Sequence, residues 1–371
     1  MPSVFDLPFA EAAAYFKDKL NIPTNRWDDL MNEEQAKAFM SAGASKADLL
    51  ADLRAAVDKA IDGKMPLPEF KKQFDGIVKK HGWQYRGERN WRSELIWRQN
   101  ISTAYQAGRW QQFADSDTEY LVYRHLDGQM NPRPTHQAWN GTVLPKGDPW
   151  WDTHFAPNGF GCKCKIYRAT GDEYQSAPNK GKRPDNVPPD KGFAYNPGKA
   201  WRGDRPDDKG DTWEPLPYHK SQNGKPLPID KTVSSMGPEV HDKAGMVQAV
   251  KNAIGGNEAF IQFHKGDLRQ DVYMNAEWVG NHLALNRGQY VPFLRETITD
   301  PAEIRMLFEK NVQTGRVRLS LNFIKGIDVG KDKVVFLVSR IIKGIPNGWT
   351  FISSRKSEIN RLRKGKLMYE R

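Results

Sequence analysis

Apolar side chains recur at three- and four-residue intervals through the first 115 residues. This period places them on one face of a helix, and prolines stand where a first helical turn accepts them. Ser45 and Asp48 have the spacing of a capping box at a helix start. The pattern therefore predicts a helical N-terminal region, residues 1–115, with helices over 9–20, 45–63, 68–82 and 89–113.

The pattern changes after residue 116. Glu119–His125 and Cys164–Arg168 each have the character of a strand, and a connection rich in proline and glycine separates them. We predict a small loop-rich module over residues 116–170. Because the module lacks a large sheet, its long loops require another stabilising cross-link.

Residues 171–240 contain eleven of the 24 prolines and eight of the 31 glycines, but few aliphatic side chains. Such a composition cannot supply a core, and it predicts an extended arm rich in proline and glycine. We expect the aromatic residues of this arm, among them Phe193, Tyr195 and Trp201, to dock it onto a neighbouring part of the protein.

The last part of the chain, residues 241–371, mixes helical and extended patterns. Asp300-Pro301 has the form of a helix start. Alternating runs separated by glycine-containing turns predict a small antiparallel sheet over 316–324, 333–341 and 348–354. Arg316 and Arg318 alternate with apolar residues in the first run, so we expect cations on one face. The segment is predicted to be an α+β domain.

Positive charge is concentrated in the same part of the chain. From His282 to Arg371 there are 18 Lys and Arg against 8 Asp and Glu, a net charge of +10, whereas the whole chain carries +11. Such a segment indicates a polyanionic partner, most often nucleic acid, although a solvated basic face is the alternative. No apolar run has the length of a membrane span and no secretory leader is recognised. We therefore expect no membrane partner and synthesis in a reducing cytoplasm.

The only two cysteines, Cys162 and Cys164, are one residue apart. Such a pair rarely has the geometry of a disulfide, but two thiolates can share one soft metal ion. His136 and His154 would complete the two-sulfur, two-nitrogen set that zinc accepts. The alternative is that both cysteines are small buried side chains of an aromatic core. The sequence favours a structural zinc site and leaves that alternative open.

Separated motifs occur in order along the first 220 residues: Pro8-Phe-Ala-Glu-Ala, Lys46-Ala-Asp-Leu-Leu, Tyr105-Gln-Ala-Gly-Arg109, Arg124-His-Leu-Asp-Gly, Asp148-Pro-Trp-Trp, Gly161-Cys-Lys-Cys164 and Gly192-Phe-Ala-Tyr-Asn-Pro-Gly198. In this order they resemble the phage Mu F-like head morphogenesis proteins, a wider family that includes SPP1-type minor capsid proteins. The resemblance implies a minor capsid protein that acts with the portal in virion assembly or DNA packaging. It places the protein in the virion head, and in the host cytoplasm during assembly. It also supports the metal set His136, His154, Cys162 and Cys164.

A second group of features lies in the last third: His282, Ile298-x-x-Pro301-x-x-Ile304, the strand with Arg316 and Arg318, Lys333, and Ser353-Ser354 after Trp349. Over residues 258–371 these features are similar to the phage-associated nuclease-like domains of the barnase–EndoU–colicin–RelE group. The similarity implies a metal-independent ribonuclease. His282 would be its general acid or base, Arg316 and Arg318 would clamp the phosphate, and Ser353 or Ser354 would donate to the scissile group. The alternative is a packed histidine in a domain that only binds nucleic acid.

The sequence thus predicts an α+β multidomain protein in four parts, with boundaries at 1–115, 116–170, 171–240 and 241–371. Its first predicted function is that of a phage minor head protein whose basic C-terminal domain binds nucleic acid and has the form of a ribonuclease. The alternative function is a packaged or free ribonuclease effector or toxin whose main role is RNA cleavage.

Overall fold

The computed structural model describes residues 9–126, 132–179, 181–184, 187–201, 212–216, 226–231, 234–266, 268–329, 332–342, 344–355 and 363–371. The fold is α+β, as predicted. The chain divides into two compact units, Met1–Gly203 with Thr314–Val317, and Asp204–Gln313 with Arg318–Arg371. No helix among the described residues is long and apolar enough to cross a membrane.

The first unit is mainly helical. Its helices are α1 Ala10–Lys17, α2 Ala47–Ile61, α3 Leu67–His81, α4 Arg89–Ala114, α5 Pro134–Ala138, α6 Trp151–His154, α7 Gly171–Ser176 and α8 Pro197–Trp201. Its strands are β1 Leu20–Asn21, β2 Ala38–Phe39, β3 Tyr120–Arg124, β4 Val143–Pro145 and β5 Lys165–Ala169. Helices α1, α2 and α3 pack against α4.

The four helices predicted for the N-terminal region are confirmed as α1 to α4. Helix α3 ends at Gly82, whose φ of 58° is the left-handed conformation that glycine adopts without strain. The capping box predicted at Ser45 is wrong. Helix α2 starts one residue later, after Lys46, and no side chain caps it. Burial of its apolar face therefore stabilises α2 more than capping of its first turn does.

Strands β4, β3 and β5 form an antiparallel sheet in that order. The two strands predicted for the module are confirmed as β3 and β5, with Tyr123 opposite Ile166 and Arg124 opposite Lys165. An aromatic core covers this sheet. Its largest members are Trp110, Tyr123, Trp139, Trp150, Trp151 and Phe155.

The described part of the predicted arm is divided between the two units. Phe193, Tyr195 and Trp201 are buried in the first unit, which confirms their predicted docking. The Trp201 indole N–H donates to Asp18 over 2.7 Å, and its ring lies edge-on to that of Tyr15 at 5.6 Å. Two short segments further on pair with the sheet of the second unit. The four-part division of the chain itself stays a prediction.

The second unit is built on one large sheet. Its strands are β6 Trp213–Pro215, β7 Ile229–Asp230, β8 Glu258–Lys265, β9 Leu268–Asn275, β10 Glu303–Asn311, β11 Val317–Asp328, β12 Asp332–Ile342, β13 Ile345–Arg355 and β14 Lys366–Glu370. Its helices are α9 Lys243–Ile254, α10 Ala276–His282 and α11 Leu294–Thr299, with a 3-10 segment at Leu285–Phe293.

The strand order of that sheet is β14-β10-β11-β12-β13-β9-β8, with β6 beside β10 and β7 beside β11. The three predicted strands are confirmed as the antiparallel run β11, β12 and β13. The prediction of a small, purely antiparallel sheet is wrong, because short strands from the arm and the chain end extend it. Moreover, the pairs β11–β7 and β13–β9 are parallel.

The helix predicted after Asp300-Pro301 is also wrong, since Glu303–Asn311 is strand β10. All six residues from Glu303 to Phe308 are buried. A strand covered on both faces has no polar alternation and cannot be told from a buried helix by its period. Inside it, Arg305 donates to Glu303 over 2.8 Å, and Arg363 also bonds to this carboxylate.

Candidate metal centre and candidate nucleic-acid site

Three potential metal ligands meet in the first unit and form what we call the Cys/His cluster: His136, Cys162 and Cys164. His136 lies on α5, whose first turn accepts Pro134. The two cysteines lie just before β5, in the aromatic core. All three side chains are buried, and their ligand atoms lie within 4.8 Å of one another.

The distances within the cluster fit a tetrahedral ion. Nδ1 of His136 lies 3.7 Å from each cysteine sulfur. With Zn–S bonds of about 2.3 Å and Zn–N bonds of about 2.0–2.1 Å, tetrahedral angles separate sulfur from nitrogen by about 3.6 Å. The separations of His136 from the two sulfurs are therefore those of a site that could hold a metal ion.

The ring of His136 is held by few other contacts. It stacks on Trp139 with centroids 5.1 Å apart, and its Nε2 is buried without a hydrogen-bond partner among the described residues. The two sulfurs are thus the polar groups that its Nδ1 faces.

The pKa values of the two thiols are shifted in opposite directions. The pKa of Cys162 is held well below its usual range, because the Cys164 thiol and His136 both donate toward its sulfur. The pKa of Cys164 is raised by its bond to Cys162 and by burial. A thiolate at Cys162 is the form that binds metal, so the cluster is predisposed to accept a cation.

The positions of two histidines differ from those expected for the predicted metal set. The structure does not bring His154 to the sulfurs: its Nε2 bonds to the carbonyl of Val187 over 3.0 Å, and its Nδ1 lies 2.8 Å from the Thr153 hydroxyl. Instead His125, which the spacing argument missed, places its Nδ1 3.3 Å from the Cys164 sulfur. The antiparallel register could have identified His125, because it comes directly after the last residue of β3 and Cys164 comes directly before the first residue of β5.

A second gathering of polar side chains, the His282 cluster, lies in the second unit. It consists of His282, Lys243, Arg287 and Arg340, with Trp349 at its centre. The His282 ring lies 4.7 Å from that of Trp349, and the Arg340 guanidinium lies over the same indole at 3.7 Å.

The backbone of β13 and α10 positions the other two cations. Arg287 donates to the Thr350 hydroxyl over 3.1 Å and to the Phe351 carbonyl over 3.3 Å. Lys243 donates to the carbonyl of Leu283, directly after α10. These bonds hold the cations at one end of α10, where His282 is exposed.

Electrostatics confirm that these groups act on one another. The pKa of His282 is lowered, first by partial burial and then by Arg340, Lys243 and Arg287. The imidazole therefore resists protonation, and the cations around it favour an anion. A neutral imidazole beside several cations suits a phosphodiester, whose oxygens the cations stabilise while the imidazole accepts a proton.

A cavity of about 760 Å³ lies between α9, α10 and the ends of β8 and β9. Its lining includes Lys243, Lys251, Asn257, Asn275, Glu277 and Asn281. Lys243 belongs to the His282 cluster and Asn281 precedes His282 in the chain. The cavity therefore gives a polar space next to the cluster.

The structure does not bring the other predicted catalytic residues to His282. The half-buried sheet with cations on one face, predicted for β11, is wrong, because the strand is buried on both faces from Leu319 to Ile327 and Arg316 is itself buried. Arg318 is half-buried, donates to Glu309 over 2.7 Å and lies over Trp213. Arg316 is buried and belongs to the first unit.

Ser353 and Ser354 lie further along β13, opposite Val335 and Val334 of β12. Ser354 is buried, whereas Ser353 is partly exposed. The sequence argument missed Lys243, Arg287 and Arg340. No strong motif marks these three cations, since each comes from a different element and only the fold assembles them.

Comparison with known proteins gives two family matches in the same chain. Residues 52–167 match the model of the Phage Mu protein F like protein family, and residues 246–370 match that of the phage-Barnase-EndoU-ColicinE5/D-RelE like nuclease2 family. The first match contains the Cys/His cluster, and the second contains His282, Arg287, Arg340 and Trp349, whereas Lys243 lies just before it.

Two curated relatives are similar to part of the chain. The "Putative capsid assembly protein F" of Escherichia phage Mu is 30% identical over 177 residues, which are 43% of this chain and 40% of the relative. The "Mu-like prophage FluMu F protein" of Haemophilus influenzae is 29% identical over 158 residues, 40% of this chain and 38% of the relative. The chain thus spans about two fifths of the length of these relatives.

No solved structure matches the chain. The family matches and the relatives nevertheless confirm both resemblances that the sequence motifs carry. The chain joins a phage Mu F-like region, residues 52–167, to a C-terminal nuclease-like region of the Barnase–EndoU–colicin–RelE group, residues 246–370.

Proposed function

We propose that this protein acts in phage head assembly together with the portal, and that its C-terminal region binds nucleic acid and cleaves RNA. The observation that carries the proposal is the succession of a Mu F-like region and a nuclease-like region in one chain. A relative that covers the first region is named for capsid assembly. The first region would therefore direct the protein to the head, and the second would act on nucleic acid there or after delivery.

Truncation tests the assembly role. Residues 1–240 hold all the head-family motifs and should join portal or capsid particles as the full chain does. A full chain with Cys162→Ser, which disturbs the Cys/His cluster, should join them less. Loss of incorporation on deletion of residues 241–371 would show that the assembly determinant lies in the nuclease-like region.

The His282 cluster supports a nucleic-acid site in the second unit. Lys243, Arg287 and Arg340 all lower the pKa of His282, so the positive charges of all three act at the position of this imidazole. Trp349 is buried, with the Arg340 guanidinium over its ring, so it positions the cluster from below and does not itself stack on a base. The cations are the elements of this site that suit a nucleic-acid backbone.

Within this site, each group has a role in cleaving RNA. Neutral His282 would take the proton of the 2′-hydroxyl as it attacks the phosphate, and the cations would stabilise the charge on the phosphate oxygens. The clamp role predicted for Arg316 and Arg318 is better suited to Arg287 and Arg340, because these act on His282. Ser353 and Ser354 keep the role of proposed donors to the scissile group.

Labelled RNA separates cleavage from binding. The full chain should cleave RNA in the presence of EDTA, and His282→Ala should lower the rate by about 10²–10⁴-fold, the usual contribution of a general acid or base. Binding of RNA should be nearly unchanged in this variant. Wild-type protein that binds RNA without cleaving it would reduce the region to a nucleic-acid tether.

The alternative function, a ribonuclease effector or toxin, is favoured by the same cluster and by the nuclease-like match. The two functions differ in where the protein is found. An effector without a head role would cleave RNA as above, but it would be absent from assembled particles.

We propose zinc as the ion of the Cys/His cluster, with a structural role. Two thiolates and an imidazole are ligands that zinc accepts, and their separations fit its bond lengths. Freshly prepared protein that has not met a chelator should contain about one zinc per chain by elemental analysis. A metal-free protein that keeps its native fold would instead make both cysteines plain members of the aromatic core.

A further inference from the structure

We infer that His125 is the fourth ligand of the Cys/His cluster, which closes it as a two-sulfur, two-nitrogen site. The inference rests on the zinc site proposed above. It matters for function, because zinc with three protein ligands keeps an open position for water or substrate, whereas four ligands make a purely structural site.

The backbone places His125 opposite Cys164. In the antiparallel pair of β3 and β5, Tyr123 faces Ile166 and Arg124 faces Lys165. The ladder ends there, and the residues directly beyond its last pair are His125 and Cys164. Residues two apart on a strand point to the same side, so His125 and Tyr123 share the face that carries the cysteines.

The side chain of His125 then reaches one sulfur of the cluster, that of Cys164. Its Nδ1 lies 3.3 Å from the Cys164 sulfur, close to the sulfur–nitrogen separation of a tetrahedral zinc site. His125 is 8% exposed, and the two cysteines and His136 are equally buried or more so. A water ligand at an open position would need access that this burial denies it.

The peptide of His125 is fixed just beyond the helix that carries the other histidine. Its N–H donates to Oδ1 of Asn140 over 3.0 Å, and Asn140 lies two residues after the end of α5. This bond ties the end of β3 to the element that holds His136. Such outer contacts orient the ligands of metal sites and reduce the rearrangement on binding.

Charge favours a neutral fourth ligand. Two thiolates balance the two positive charges of zinc, so a neutral imidazole leaves the buried site without net charge. A charged ligand in its place would leave an unpaired charge in the aromatic core, which is costly. Histidine satisfies this condition, and besides His136 the described residues include His125 as a histidine whose nitrogen contacts Cys164.

His154, the ligand predicted from spacing, has other bonds. A carbonyl oxygen only accepts, so Nε2 of His154 must donate to Val187 and has no lone pair for a metal. Its ring lies flat on Trp150 with centroids 4.5 Å apart. His154 is therefore a packed histidine and a matched control for His125.

Cobalt substitution with added cysteines tests the inference on the full chain. His125→Cys should add a third thiolate to the ion, so the thiolate-to-cobalt charge-transfer absorption should grow. His154→Cys should leave the spectrum as in the wild type. Growth in the His154 variant instead, or in neither variant, would overturn the assignment of His125.

Zinc affinity gives a second measure with the alanine variants. His125→Ala should weaken zinc retention against a competing chelator by more than the about 10–100-fold typical of an outer-sphere change, and His154→Ala should have little effect. X-ray absorption of the wild-type zinc protein needs no variant to fold: it should detect two imidazoles, and a single one would overturn the inference. Wild-type protein that binds neither zinc nor cobalt would overturn the zinc proposal as well.

Discussion

The Cys/His cluster and the His282 cluster both bring reactive side chains together. The Cys/His cluster combines two thiols with an imidazole, whereas the His282 cluster surrounds an imidazole with cations. His136, Cys162 and Cys164 are buried and lie within reach of one ion. His282 is exposed and is surrounded by cations that lower its pKa. A small cation would complete the first arrangement, whereas the second offers positive charge to an anion. This difference is the reason that we propose a structural site for the first cluster and a binding site for the second.

A similar contrast exists among the cations of the second unit. Arg305 and Arg363 are buried and share the carboxylate of Glu303. The cations of the His282 cluster instead contact backbone carbonyls, a hydroxyl and an indole. The buried pair belongs to the core, whereas the cations around His282 lie beside an exposed histidine.

The largest expected effect follows from loss of the metal. Structural zinc contributes about 10–16 kcal/mol in zinc-finger peptides near neutral pH, so its removal should unfold the small sheet of β3, β4 and β5. Cys162→Ser should abolish the hydrogen-exchange protection of this sheet and leave the second unit protected. His282→Ala, as the control, should change neither zinc content nor protection. Equal loss of protection in both units would contradict the division into a structural site and a binding site.

The next effect concerns the paired cations. Glu303→Gln should destabilise the second unit by about 3–5 kcal/mol, because it removes the carboxylate charge that two buried guanidinium groups share. Chemical denaturation of the second unit measures the change. Glu309→Gln is the matched control and should cost less, since the Arg318 that it releases is half-buried. If both variants lose the same stability, burial does not distinguish the pairs.

A smaller effect is expected on nucleic-acid affinity. Arg287→Gln should reduce the slope of log affinity against log salt by about 0.7–0.9, the loss of one phosphate contact. The fold should persist, because the side chain bonds only to a hydroxyl and one carbonyl. Arg318→Gln should leave the slope unchanged, since Glu309 already neutralises Arg318. A larger change for Arg318 would move the binding site to β11.

The smallest effect is a shift in one titration. The pKa of His282 should lie below its ordinary value of about 6.5 in the free protein and rise when nucleic acid binds, because phosphate offsets the nearby cations. Selective labelling of the histidines and NMR measure both values. Because the pKa of His282 is lower in the folded than in the unfolded chain, the unfolded chain takes up this proton first on acidification. The free energy of unfolding should therefore decrease slightly as the pH falls through the unfolded-state pKa of about 6.5. A pKa unmoved by nucleic acid would exclude His282 from the binding site.

The helices and the cysteine pair could be predicted from the sequence because their signals are local. Helix α4 is predicted over 89–113 and runs from Arg89 to Ala114, a stretch that contains no proline and a single glycine to interrupt it. Cys162 and Cys164 are neighbours in the chain, so their shared chemistry is visible directly. His136 joined them through the chemistry of zinc ligands.

Other features depend on contacts between distant residues. Strand β10 has no alternation because both its faces are buried, and its sequence therefore favoured a helix. The contact of His125 with Cys164 follows from the register of two strands about forty residues apart. Arg287 and Arg340 come together only after β12, β13 and the segment behind α10 have folded. No local pattern encodes such a meeting.

The composition of purified phage particles tests the account most directly. Mass spectrometry of particles from the phage or prophage that encodes this chain should detect peptides from both residues 52–167 and residues 246–370, because one protein carries the two regions into the head. Peptides of neither region, in particles whose portal and capsid proteins are well covered, would contradict the assembly role. They would leave a ribonuclease that acts outside the virion.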